Sequence, residues 1–125
     1  MNLLDIANLL ESQGVGVKGK SIFIYMIPSD AQPAILLRNP LTGTPYDYEL
    51  PGFFRAKFRV VVRCVDYATG KAMMDEAVAA MTVQNTQLDS MFVQYMRPIA
   101  MPVVFPLSDG NLMEFSVDMD VVFTE

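Results

Sequence analysis

From Phe54 to Cys64 the chain alternates, with Val61 the one apolar residue in the charged row. Phe54, Ala56, Phe58, Val60, Val62 and Cys64 are apolar, and Arg55, Lys57, Arg59 and Arg63 stand between them. Successive side chains of a strand point to opposite faces, so this period of two predicts a strand over roughly 54–65 with one oily and one cationic face. The C-terminal stretch NLMEFSVDMDVVF repeats the pattern with the opposite sign. Met113, Phe115, Val117, Met119, Val121 and Phe123 share one face, and Glu114, Asp118 and Asp120 share the other with Leu112, Ser116 and Val122. If the two strands are neighbours, the charges meet as cross-strand pairs. If they face different copies, a basic and an acidic strip on one small protein suit head-to-tail association, which closes into a ring where the rotation permits.

Elsewhere the period changes. In NLLDIANLLESQG, Leu3, Ile6, Ala7 and Leu10 fall on one helical face, broadened by Leu4 and Leu9. Asn2 suits the N-cap, Asp5 the first turn, and Gly14 the stop. A second helix is predicted over DYATGKAMMDEAVAAM, capped by Asp66, with Lys71 and Asp75 four apart and a face of Ala72, Met73, Ala77, Ala80 and Met81. Gly70 weakens its first turn, so this helix calls for tertiary support. SIFIYMIP at 21–28 reads as a strand apolar on both faces, either central or lying against another subunit, and AILLRN at 34–39 as the next, with SDAQP a turn between them. Residues 39–52 form a long loop rich in proline and glycine, whose Tyr46 and Tyr48, followed by Phe53 and Phe54, call for a cover from their own domain or from a partner. From 88 to 106 the chain is extended but broken by Pro98, Pro102 and Pro106, which assigns it to an edge or a bulge, and SDGN at 108–111 is a hairpin turn. The expected fold is α+β, one domain over 1–125: a mostly antiparallel sheet of about five strands, two helices on one face, and a long loop between strands 2 and 3.

The net charge is −5, which argues against general nucleic-acid binding, although four of the nine basic residues lie between 55 and 63. The chain has no histidine, which removes Ser-His-Asp and Cys-His catalysis and the commonest zinc ligand. Neither a P-loop nor a dinucleotide glycine motif occurs. Cys64, the lone cysteine, falls on the oily face of its strand and reads as a small hydrophobe. The acids leave a carboxylate enzyme open, but no spacing singles out a pair. Runs such as IFIYMI are too short to span a membrane, and the N-terminus lacks the basic region of a signal peptide. These features predict a soluble protein used in a cytoplasm, with no cofactor and no metal.

Three segments carry a resemblance: LLDIANLLESQGVGVKGKSIFIYMIP, VVVRCVDYATGKAMMDEA and NLMEFSVDMDVVF. The chain resembles the tail terminator and minor capsid proteins of long-tailed bacteriophages. It matches their pattern at Glu11, Gly14, Gly16, Gly19, Ile22, Phe23 and Ile24, then at Val62, Arg63, Asp66 and Tyr67. The resemblance implies a hexameric ring at the head-proximal end of the virion's tail, assembled in the host cytoplasm. Such a ring caps the tail tube, fixes tail length and offers a docking surface for the head. Its partners would be copies of itself, the tube protein and head–tail connector proteins, while DNA passes through unbound. On this expectation Arg55, Lys57, Arg59, Arg63, Glu114, Asp118 and Asp120 set subunit or sheet-face contacts. Tyr46, Tyr48, Phe53 and Phe54 would touch tube or connector. The competing expectations are a head–tail connector or head-completion adaptor, and a small carboxylate enzyme or nucleic-acid module.

Overall fold

A computed structural model describes residues 1–28, 31–39, 43–108 and 112–125. The elements run α1 (Leu3–Ser12), β1 (Ile22–Ile24), β2 (Ala34–Arg38), β3 (Phe53–Cys64), α2 (Tyr67–Met81), β4 (Val83–Gln87), β5 (Phe92–Pro98), β6 (Val103–Ser108) and β7 (Leu112–Thr124). The fold is α+β, and the described strands form one sheet of seven rather than about five.

The sheet is built around β3 and β7, which pair antiparallel from Phe53↔Thr124 to Cys64↔Met113. Beyond β3 lie β2 and then β1; beyond β7 lie β5 and then β4, with β6 continuing along β7 past the end of β5. Among the described strands only β1 and β2 pair parallel. Two-residue alternation puts Phe58, Val60 and Val62 of β3 with Phe115, Val117 and Met119 of β7 on one face, where all are buried. Leu3, Ile6, Ala7 and Leu10 of α1 and Met74, Ala77 and Met81 of α2 complete that core. The other face is not wholly open, because Ala34, Leu36 and Val122 are buried on it too, so a simple division into covered and bare faces does not hold.

Both helices start where the sequence places a cap. Asn2 is extended, and its side-chain oxygen accepts from Leu4 N at 2.9 Å. Asp66 accepts from Thr69 N at 3.1 Å, and this hydrogen bonding holds its carboxyl below the ordinary value. Gly14 leaves α1 at φ 76°, open to glycine without strain. The buried stripe of α1 is narrower than expected, because Leu4 is exposed and Leu9 only partly covered. In α2 the buried residues are Gly70, Met74, Ala77 and Met81, spaced 4, 3 and 4. Ala72 is exposed, and Met73 and Ala80 are only half-buried. The cause is Gly70: a β-carbon there would collide with Cys64 Sγ and the Phe115 ring. The glycine turn therefore lies directly on the sheet, and that contact sets the rotation of the helix.

Three strands differ from the sequence expectation for local reasons. The apolar run 21–28 pairs only over Ile22–Ile24 and forms an edge, not a central strand. Tyr25 turns out of the sheet at φ 65°, with its N–H donating to Leu37 O at 2.8 Å, and Met26 is 82% exposed. The stretch 88–106 contains two strands, β5 and β6, laid end to end along β7. Ile99 N donates to Asp118 O at 2.9 Å, so the N–H direction of the preceding residue points away from β7. Proline at 98 thus removes no ladder bond. β4 is the element that the sequence pattern did not announce. Positions 109–111 of the turn SDGN lie outside the described residues, as do positions 29–30 of SDAQP and 40–42 of the long loop. One polar residue ties the layers: Asp5, 4% exposed, accepts from Ser90 N at 2.8 Å and Ser90 Oγ at 2.6 Å. No described helix is long and apolar enough to cross a membrane.

Candidate functional site on the open sheet face

The register of β3 on β7 decides which charges meet. Arg59 lies opposite Asp118, Arg63 opposite Glu114, and Lys57 opposite Asp120. Arg59 grips Asp118 with two nitrogens, Nε to Oδ1 at 2.8 Å and Nη2 to Oδ2 at 3.4 Å. The hydrogen bonds and charge of Asp118 raise the guanidinium pKa further. Arg63 Nη2 stands 3.5 Å from Glu114 Oε2, while Nη1 donates to Pro28 O at 3.3 Å. Its Nε is buried with no hydrogen-bond partner among the described residues. Asp120 sits between Lys57 on β3 and Arg97 on β5. Arg97 in turn lies over the Tyr95 ring, 4.3 Å from its centroid. Arg55 faces Val122 and has no acid across the strand.

Arg55 belongs instead to the loop end of the sheet. With Phe53, Pro45, Tyr46, Asp47, Tyr48 and Glu49 it lines a cleft of about 500 Å³. Phe54 stacks on Phe123 at 5.3 Å, and Tyr46 meets Phe54 edge-on at 6.0 Å. Phe54 is thereby tied to the core, while Tyr46 and Tyr48 remain 74% and 89% exposed. The four aromatics are together, but only the two tyrosines project outward.

Two cations and an apolar strip complete the face without having been singled out from the sequence. Arg38 lies opposite Arg59, and Arg97 opposite Asp120. Val103 and Phe105 share the face of Ser116 and Glu114 and are both half-exposed, with Ile99 near them. The signal for Arg97 was the alternation of Tyr95 and Arg97 in QYMRP, hidden by the adjoining proline; the strip was hidden by its prolines too. Six of the nine basic residues therefore stand on this face, against three acids. Of the fourteen acids, Asp30 and Asp109 are outside the described residues and nine lie off these strands, with only Lys18, Lys20 and Lys71 as cations beside them. The strand residues of this face thus carry a formal charge of +3, and Asp47 and Glu49, which share the cleft of Arg55, bring it to +1 in a chain that is acidic as a whole.

Chemistry of other kinds finds little here. Cys64 is buried, and burial pushes its thiol pKa up, away from the reactive thiolate. Among the described residues no group of three or more His, Cys, Asp or Glu is placed to hold a metal ion.

The fold is shared with a chain in the virion of a native gene transfer agent particle. The TM-score is 0.66 at 12% identity, over 96% of this chain and 84% of that one. No curated protein sequence matches the chain. The family model of the bacteriophage tail terminator protein matches residues 9–125, a span that takes in the last turn of α1, the whole described sheet and α2. The chain belongs to the bacteriophage tail terminator protein family.

Proposed function

We propose that this phage structural protein closes into a homo-oligomeric ring of six at the head-proximal end of the tail. There it caps the tube, ends its elongation and so fixes tail length, and presents the surface on which the head docks. The family match over 9–125 carries the reading. The geometry supports it in two ways. A face bearing charge and exposed apolar side chains calls for a macromolecular partner rather than a small substrate. At one end of the sheet, Tyr46 and Tyr48 offer exposed aromatic anchors of the kind that dominate protein contacts, suited to the tube protein or a connector. The reading requires neither catalysis nor a cofactor, and DNA passes the assembled ring without specific contact.

The test combines assembly and partner choice. Native mass spectrometry and negative-stain images of the purified protein are expected to show a six-membered ring with a central hole. Immobilised protein is expected to retain purified tube protein. Capture by the portal or connector complex alone, with tubes of normal length in a phage lacking the gene, would replace the terminator by a head-completion adaptor.

A further inference from the structure

The open face of the sheet is the place where the charge balance of this chain reverses, and the reversal suggests what covers it. We propose that it docks against the outer side of α2 in a second copy, so that each protomer gives its sheet to one neighbour and its helix to the next. The proposal rests on the ring reading and assigns the surfaces that such a ring joins.

Charge complementarity is the first reason. Among the described residues the open face holds Arg38, Arg55, Lys57, Arg59, Arg63 and Arg97 against Glu114, Asp118 and Asp120. Two of those acids are engaged by Arg59 and Arg63, which leaves Arg38 and one of the pair Lys57 and Arg97 unmatched. Arg55 shares its cleft with Asp47 and Glu49. The outer side of α2 has the opposite balance: Asp66, Asp75 and Glu76 are exposed there, and Lys71 is held 3.0 Å from Asp75. Surfaces of opposite sign on one chain attract a neighbour in a fixed orientation and repel a like face.

Shape is the second reason. Beside the charges, Val103 and Phe105 project from the open face, each 54% exposed. Along the flank of α2 runs a cleft of about 490 Å³ lined by Asp75, Val78, Ala79, Pro98, Met101 and Pro102, apolar except at Asp75. In the proposed contact the apolar knobs of one copy enter the apolar cleft of the next, with the cations meeting Asp75 at its edge and Glu76 on the other flank of the same helix. A contact of two different patches is heterologous, and it closes into a ring when the rotation between copies is a whole fraction of a turn. This favours a protein partner over nucleic acid, because DNA offers phosphates but no apolar seat for Val103 and Phe105.

The experiment uses two double variants. Arg38→Glu with Lys57→Glu reverses the sheet face, and Asp75→Lys with Glu76→Lys reverses the helix. Each alone is expected to weaken ring formation by about tenfold or more, because like charges then face each other. Mixed one to one, the two variants should recover rings in which they alternate, read by native mass spectrometry with one variant mass-labelled. Recovery on mixing also shows that both variants are folded. Rings that form equally well from either variant alone would overturn the assignment while leaving the ring itself standing. Absence of rings from the unmodified chain, free or on tubes, would instead remove the proposed function. Retention of the unmodified chain on DNA at low salt, lost in the sheet-face variant while ring formation is untouched, would assign the face to a polyanion.

Discussion

Gly70 sits in the first turn of α2, where alanine is ordinarily preferred by about 1 kcal/mol. Here the preference inverts. A β-carbon would overlap Cys64 Sγ and the Phe115 ring, both parts of a buried core. Overpacking of this kind costs about 1–3 kcal/mol, so Gly70→Ala is expected to destabilise the fold by about 1–2 kcal/mol in urea unfolding. Adding Cys64→Ala should return only part of the loss, since the Phe115 contact persists; a stabilised Gly70→Ala would show that the helix lies further from the sheet. Arg59 and Asp118 pose a different question, because their side chains are 39% and 45% exposed. Solvent screens such a pair, and a double-mutant cycle through Arg59→Glu and Asp118→Arg should report coupling of about 0.5 kcal/mol in the protomer. The swapped pair is expected to recover most of what each single change loses. Two independent losses would mean that the residues do not act together.

The elements that could be read from sequence are those with one wet and one dry face. β3 and β7 alternate over most of their length because the core accepts one side while the charged side stays partly in solvent, and their charged rows are visible for the same reason; Val61 and Val122 are the departures. What alternation does not give is register: that Arg59 meets Asp118 rather than Asp120 is set by pairing across 59 residues of chain. β4 was illegible because VQNTQ has no apolar period and gains its order by pairing with β5. β1 is shorter than its apolar run, because such a run says nothing of the positive φ at Tyr25 that ends it. Arg38 and Arg97 stood apart from the charged rows in sequence and join them only through the sheet. In sequence Asp5 is only a first-turn acid; in the fold it joins α1 to the turn before β5 through two bonds from Ser90. Asp5→Ala leaves the Ser90 N–H without that partner, and a loss of about 1–3 kcal/mol is expected in denaturant unfolding. Ser90→Ala removes only the hydroxyl bond and should cost about 1 kcal/mol. Equal effects of the two changes would show that the backbone bond contributes nothing.

At the scale of the whole molecule, the sheet separates a rigid middle from two candidate docking regions. β3 and β7 are paired over their full lengths and buried on the helix side, so their opening requires loss of the core. The segment 43–52 has the reverse character: few backbone bonds hold it, and Tyr46, Tyr48 and Leu50 face outward. Regions with few buried contacts open at low free energy. Hydrogen exchange on the free protein should therefore find residues 56–64 and 113–123 slowest and residues 43–49 fastest. The same measurement on tube-bound protein separates the two ends of the sheet. If the loop docks on the tube, amides of 46–50 slow by about tenfold or more while 99–105 keep the protection they already have in the ring, because binding suppresses the openings that permit exchange. If 99–105 slow only on the tube and 46–50 do not change, the tube contact lies at the β6 end, and Val103 and Phe105 meet tube protein rather than a neighbouring copy. The two outcomes differ in position along one chain, so a single experiment distinguishes the surface that joins copies from the surface that stops the tube.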